Sequence, residues 1–172
     1  MADMEFDVVE LASTDHPVEG DTAPDFTRPL VSGELWEDTS LSDLYSAGPV
    51  LLLFHPMDGA FPATYLWNEV RDRGWEERER LQVIGLSVSS PYEHKQLIEE
   101  RDIDSRLFSD PQNSVAERYD IVHDLDGMTG VSEPRPAAFL IDSEGVIQYA
   151  WVASEWPAFP AYDDIALAIE EL

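Results

Sequence analysis

The chain has 172 residues, a formal net charge of −26 and no cysteine. At this length one domain is the default, and it buries about 68–70% of its unfolded-chain surface, so no disulfide or metal staple is needed. Zero cysteine excludes disulfides, thiolate zinc sites, cysteine-ligated iron–sulfur clusters, CxxC redox motifs and every cysteine nucleophile.

A hydrophobic content of 44% points to a folded globule. The 36 Asp and Glu residues oppose only 10 Lys and Arg, and Lys95 is the only lysine. Such a field repels nucleic acid and anionic membranes, so neither is expected as a partner. The acids recur from Glu5 to Glu171 among apolar residues and read as a coat over an ordinary core. The coat repels itself unless salt screens it, and the Debye length shrinks to about 3 Å at 1 M. Adaptation to a high-salt cytoplasm is favoured over a DNA mimic or a low-affinity cation binder. Residues 1–10 carry four acids and no Lys or Arg, the wrong sign for a secretory leader. The longest apolar run, Pro49–Phe54, is too short to span a bilayer. A cytoplasmic location is expected.

Residues 1–19 read as an acidic leader, frayed or packed as an edge, and residues 20–172 as the domain. Val50–Phe54 is a short unbroken apolar run after Gly48-Pro49, the pattern of a strand buried on both faces. Residues 56–62 form a loop. A helical pattern runs from Thr64 to Leu81, with Leu66, Val70 and Trp67 on its apolar face and Gly74 disturbing its end. Gln82–Val88 is a second strand. Ser90-Pro91-Tyr92-Glu93 is a capping box with proline at the first helical position, which predicts a helix over 91–101. Leu107–Ser109 is a short strand, and Asp110-Pro111 starts a helix carrying Val115, Ala116 and Tyr119. Ala137–Asp142 and Val146–Val152 form a hairpin around Ser143-Glu144-Gly145. A last helix carries Asp163 and Asp164 at its start, where the dipole favours acids, and Ile165, Ala168, Ile169 and Leu172 at helical spacing. Strands alternating with helices and closing on a hairpin predict an α/β fold with an antiparallel element in its sheet.

Gly20-Asp21-Thr22-Ala23-Pro24-Asp25-Phe26 resembles the opening of peroxiredoxins. Ser40–Leu44 resembles the segment that follows, and Val50–Pro56 the strand leading into the peroxidatic loop. Phe108–Pro111 and Phe139–Gly145 resemble two later family motifs. The resemblance is to the AhpC/TSA group, with the flavour of its bacterioferritin-comigratory and one-cysteine members. It implies a thioredoxin-like three-layer sandwich with a mixed central sheet.

The family's active-site motif is Pro-x-x-x-Thr-x-x-Cys, in which proline shields the thiolate, threonine bonds the peroxide and cysteine attacks it. Here Pro56 keeps the proline, Ala60 stands at the threonine position and Ala63 at the cysteine position. Thr64 matches the threonine that often follows the cysteine, and Arg71 falls near the family's helix arginine. The late family arginine lies three residues before the phenylalanine. Pro136 holds that place and Arg135 sits one earlier, either reaching the pocket or not. Pro136 also falls within one residue of the cis-proline of thioredoxins. Peroxide reduction in this family needs a thiolate that becomes a sulfenic acid. Coordinated departures at the cysteine, threonine and arginine positions read as natural loss of thiol catalysis.

His55 beside Asp58 and Tyr65 is either a base or metal ligand in the old pocket, or a substitute for an aromatic residue at a strand end; the second is favoured. His16, His94 and His123 lack zinc spacing. His123–Gly127 holds an Asp-x-Asp-Gly fragment, but a twelve-residue calcium loop begun at Asp124 ends on Arg135. No metal or cofactor is expected. Trp151, Trp156, Phe159 and Tyr162 read equally as an interface belt or as core under the last helix. The expected function is that of a peroxiredoxin-like protein inactive as a thiol peroxidase. It would bind as a homodimer or to a redox-protein partner through a vestigial pocket of His55, Pro56, Ala60, Ala63, Thr64 and Arg135. The alternative is an oxidoreductase with cysteine-free chemistry in the same pocket.

Overall fold

The run Val50–Phe54 is a central strand with every residue buried. The structure, a computed structural model, describes residues 9–125 and 127–172. The first eight residues of the acidic leader and Asp126 of the Asp-x-Asp-Gly fragment lie outside them. The chain begins with β1 (Val9–Glu10), β2 (Thr27–Val31), β3 (Trp36–Ser40) and α1 (Leu41–Ala47). It continues through β4 (Val50–Phe54), α2 (Phe61–Asp72), a 3-10 turn (Trp75–Glu77), β5 (Gln82–Ser87), α3 (Pro91–Arg101) and β6 (Arg106–Ser109). Then follow α4 (Ser114–Arg118), β7 (Val122–Asp124), β8 (Ser132–Pro134), β9 (Ala137–Ile141), β10 (Ile147–Val152), β11 (Glu155–Trp156) and α5 (Tyr162–Glu170).

A seven-stranded mixed sheet has the order β10-β9-β4-β5-β6-β2-β3. β4, β5 and β6 are mutually parallel, and β9 runs antiparallel to β4 and β10. Alternation along β4 divides the core into two layers, because successive side chains point to opposite faces. Val50, Leu52 and Phe54 pack with Leu41 and Leu44 of α1 and Val115 and Ala116 of α4. Leu51 and Leu53 pack with α2, α3 and α5 through Leu66, Trp67, Val70, Leu97, Ile98 and Ile165. The result is helices on both faces of one sheet, a three-layer sandwich. No helix among the described residues is long and apolar enough to cross a membrane.

The capping box at α3 makes both of its bonds: Glu93 N–H donates to Ser90 Oγ, and Ser90 N–H to the Glu93 carboxylate. The helix expected from Thr64 to Leu81 is shorter and starts earlier. It opens at Phe61, because Pro62 fits a first turn whose N–H groups have no partner anyway. It stops before Gly74, whose φ of 69° is left-handed and cheap only for glycine. Asp110 does support the start of α4: its carboxylate accepts Val115 N–H at 2.8 Å and Ser114 Oγ at 3.2 Å. The aromatic belt divides. Tyr162 packs on Trp75 within the second core layer, Trp151 and Trp156 are half-buried, and Phe159 is exposed.

Candidate functional site

β4 delivers its chain end to the loop 55–60, and α2 carries it away. Ala60 is the N-cap of α2, in extended conformation, and Ala63 lies in the first turn, fully buried. Ala63 and Thr64 N–H both donate to the Ala60 carbonyl, at 3.1 and 3.4 Å. His55 and Pro56 meet Pro62, Pro136 and Phe159 around a cavity of about 10 Å³. That is roughly one water molecule's worth of space. Thr64 faces the other way, into a cleft of about 260 Å³ between the loop and α3, with Asp58, Glu93, Glu100 and Arg101.

Three side-chain contacts hold the loop. Met57 N–H donates to Glu133 Oε2 at 3.0 Å, and Asp58 N–H to Ser89 Oγ at 2.8 Å. His94 bridges Asp58 Oδ2 at 2.7 Å from Nδ1 and the Phe108 carbonyl at 2.9 Å from Nε2. Carboxylate and carbonyl are both acceptors, so the arrangement is satisfied when both ring nitrogens carry hydrogen. Burial pushes the Glu133 carboxyl above the usual carboxylate range, with the Met57 N–H working against it. This clamp of Asp58, Ser89, His94 and Glu133 was not visible in the sequence. The capping box at Ser90 fixed the phase of α3, and that phase alone turns His94 inward.

His55 is 1% exposed. Its Nδ1 lies 2.8 Å from the Pro56 carbonyl, which can only accept, so Nδ1 carries the hydrogen. Its Nε2 is buried with no partner among the described residues and sits over Gly85. A Cβ at Gly85 would come within 2.5 Å of Trp67 and 3.0 Å of His55 Nε2, so only glycine lets both rings pack on the sheet there. Burial, reinforced by the neighbouring His94 and opposed by Asp58, lowers the His55 pKa to about 4. The unfolded chain therefore binds a proton near pH 6.5 that the folded chain refuses until about pH 4. Stability rises with pH across that window and is lost as pH falls through it, by about 3 kcal/mol in all. Denaturant titrations between pH 7 and pH 4 should show wild type losing about that much more than His55→Phe. Parallel pH dependences would remove His55 as the cause.

Arg135 is 7% exposed. Its Nη1 donates to the Ala153 carbonyl at 3.4 Å, and its backbone N–H to Ile121. Burial pushes the guanidinium down, with Asp120 partly compensating, and its charge in turn helps lower His123. The cavity beside α2 is lined by Pro136 and not by Arg135. The one cis peptide bond among the described residues is Trp156–Pro157, so the bond before Pro136 is trans. Arg71 bonds the Arg101 carbonyl on the outer side of α2. Among the described residues no three His, Asp or Glu side chains converge closely enough to hold a metal ion.

The AhpC/TSA family profile matches residues 19–150. The chain belongs to the AhpC/TSA family. It is 31% identical over 151 residues to a putative peroxiredoxin of Mycobacterium tuberculosis, covering 87% of this chain and 93% of that one. It is 30% identical over 143 residues to the putative peroxiredoxin bcp of Coxiella burnetii, covering 77% and 86%. The spinach chloroplast 2-Cys peroxiredoxin BAS1 is 29% identical over 153 residues, 84% of this chain, which spans only 56% of that longer protein. Among solved structures, the peroxidoxin BcpB of Mycobacterium tuberculosis superposes with a TM-score of 0.75 at 28% identity, covering 91% of this chain and 99% of that one. The AhpC/TSA-family chain described here therefore has the thioredoxin-like fold of its relatives, and it has no cysteine.

Proposed function

We propose that this AhpC/TSA-family chain is not a thiol peroxidase and works by binding, as a homodimer and as a partner of redox proteins in a high-salt cytoplasm. The observation that carries the reading is the start of α2. Alanines 60 and 63 stand where the family resemblance implies a threonine and a peroxidatic cysteine, on either side of Pro62, which lines a cavity of about 10 Å³. Alanine has neither a lone pair nor a redox state, so it forms no sulfenic acid. The clamp on the loop supports a role in which this segment keeps one shape. The acidic coat supports the high-salt setting, because only screening relieves its self-repulsion.

Cysteine-free chemistry in the same pocket would need an accessible reacting group. His55 has Nδ1 committed to Pro56 and Nε2 buried, and Arg135 is bonded to Ala153, so neither observation favours that alternative. The test is peroxide consumption in molar salt with metals removed, using hydrogen peroxide or an organic hydroperoxide and thioredoxin or dithiothreitol as reductant. The expected rate equals that of the protein-free mixture. Turnover above it overturns the proposal, and turnover lost in His55 or Arg135 variants would assign it to the alternative chemistry.

A further inference from the structure

The ring of His94 is fully buried where three elements meet, on α3 between the loop 55–60 and β6. Nδ1 stands 2.7 Å from Asp58 Oδ2, and Nε2 2.9 Å from the Phe108 carbonyl. The Asp58 side chain is only 7% exposed, and its Oδ1 has no partner among the described residues. Two bonds from one ring to these atoms can be made in two ways. An imidazolium donates twice, or a neutral ring donates to Phe108 and accepts from a protonated Asp58. Both forms hold the same single extra proton, so the pair titrates as one unit. When that proton leaves, the neutral ring has one hydrogen for two acceptors. A lone pair then faces the carbonyl or the carboxylate inside the protein, where such a mismatch is costly.

Of the three elements, the loop is the one that can yield. β6 lies between β5 and β2 in the sheet, and α3 is anchored by buried Leu97 and Ile98. The loop is tied by two backbone N–H groups, Met57 to Glu133 and Asp58 to Ser89, and by this carboxylate. Asp58 also borders the cleft of about 260 Å³, whose far side carries the exposed residues Glu93, Glu100 and Arg101. We propose that Asp58 and His94 form a proton-operated latch. With its proton the pair fastens the loop to α3 and β6; without it the Asp58 carboxylate turns out into the cleft and the loop opens. Other charged groups surround the pair. His55 at the end of β4 has its ring 6.1 Å from that of His94, and burial keeps it neutral above about pH 4. Glu93, Glu100 and Arg101 face Asp58 from α3, Glu133 holds Met57, and Asp110 after β6 is paired with Arg28. None of them bonds to either member, so the latch is the pair alone. Burial also limits screening, so the latch works in molar salt. The loop then keeps one shape only while the pair holds its proton.

The test uses the full chain in molar potassium chloride from pH 5 to pH 9. NMR of the histidine rings follows the protonation of His94. Hydrogen exchange, corrected for the intrinsic base-catalysed rate, follows the Met57 and Asp58 amides. Protection of both amides should fall by about tenfold or more over the range in which the His94 ring titrates, while Leu52 and Ile84 in the sheet keep theirs. Asp58→Asn separates the latch from a general loosening. Its side-chain amide can donate to Nδ1 of a neutral ring that keeps its Nε2 hydrogen on Phe108, so both bonds survive without the extra proton. The variant, freshly prepared and with its mass checked against deamidation before Gly59, should hold its loop amides protected across the whole range. A His94 ring that titrates with no change in loop protection overturns the latch. So does a ring that stays in one state from pH 5 to pH 9, and so does a fall in protection that persists in Asp58→Asn. The first two outcomes are read on wild type, so the test stands even where the variant does not fold.

Discussion

An Ala60→Thr, Ala63→Cys double variant is expected to react with hydrogen peroxide within about tenfold of the rate of free cysteine. At pH 7 an unperturbed thiol is only about 3% thiolate. Position 63 offers one favourable element, the first turn of a twelve-residue helix whose N-terminal dipole favours an anion. The rest of the surroundings do not add to it. The loop is held by Asp58, paired with His94, and by Glu133, and neither supplies a positive charge that would favour a thiolate. No arginine lines the adjoining cavity, where Pro136 stands, and the contact made by the Arg135 guanidinium is from Nη1 to the Ala153 carbonyl at 3.4 Å. The adjoining cavity, lined by Pro62, Pro136 and Phe159, measures only about 10 Å³ and Ala63 is not among its lining residues, so it offers no oriented place for a peroxide against position 63. Misplacing a reactant by 1 Å can cost about a hundredfold. Stopped-flow consumption of peroxide by the double variant checks this. A rate a thousandfold or more above free cysteine would mean that the pocket still organises catalysis.

Dilution from molar salt to roughly 0.1 M is expected to lower the melting temperature by about 10–20 °C. The Debye length grows from about 3 Å to about 10 Å over that range, so repulsion among surface carboxylates reaches much farther. Little local compensation exists. The arginine–carboxylate pairs among the described residues are Arg28 with Asp110 and Arg73 with Glu69 and Asp163, against 36 acidic residues in the chain. A loss of about 5 kcal/mol is a large share of a typical folding free energy and translates to the shift given for a chain of this length. Thermal melts in potassium chloride at fixed pH read it directly. A melting temperature unchanged across the range would separate the acidic composition from any salt requirement.

Elements whose signal is local were legible. β4 announced itself by an unbroken apolar run, α3 by its capping box, and β9 with β10 by a short turn between two apolar segments. The hairpin of β2 and β3 was not, because its strands read Thr-Arg-Pro-Leu-Val and Trp-Glu-Asp-Thr-Ser, with a proline and acids on a sheet edge. Pro29 is tolerated there because β2 pairs with β6 only at Leu30 and Val31, leaving no ladder partner that needs the missing N–H on that side. The same division holds at the site. Pro56, Ala60 and Ala63 could be read from motif spacing along one stretch of chain. The clamp could not: His94 meets Asp58 across 36 residues and Glu133 meets Met57 across 76, and no periodicity in sequence encodes such contacts. The aromatic belt was half legible, since composition marked Trp151, Trp156, Phe159 and Tyr162 but only the fold separates Tyr162, half-buried against the second core layer, from exposed Phe159.

The most direct measurement is a single turnover: the unaltered chain mixed with one equivalent of hydrogen peroxide and no reductant, in molar salt with metals removed, followed by residual peroxide and by the mass of the protein. The expected result is peroxide consumed no faster than by the chain's four methionines as free amino acids, and an intact mass over the first seconds. Loss of a full equivalent of peroxide in that time, with one oxygen added to the protein or released as product, would contradict a family member that has given up peroxide chemistry.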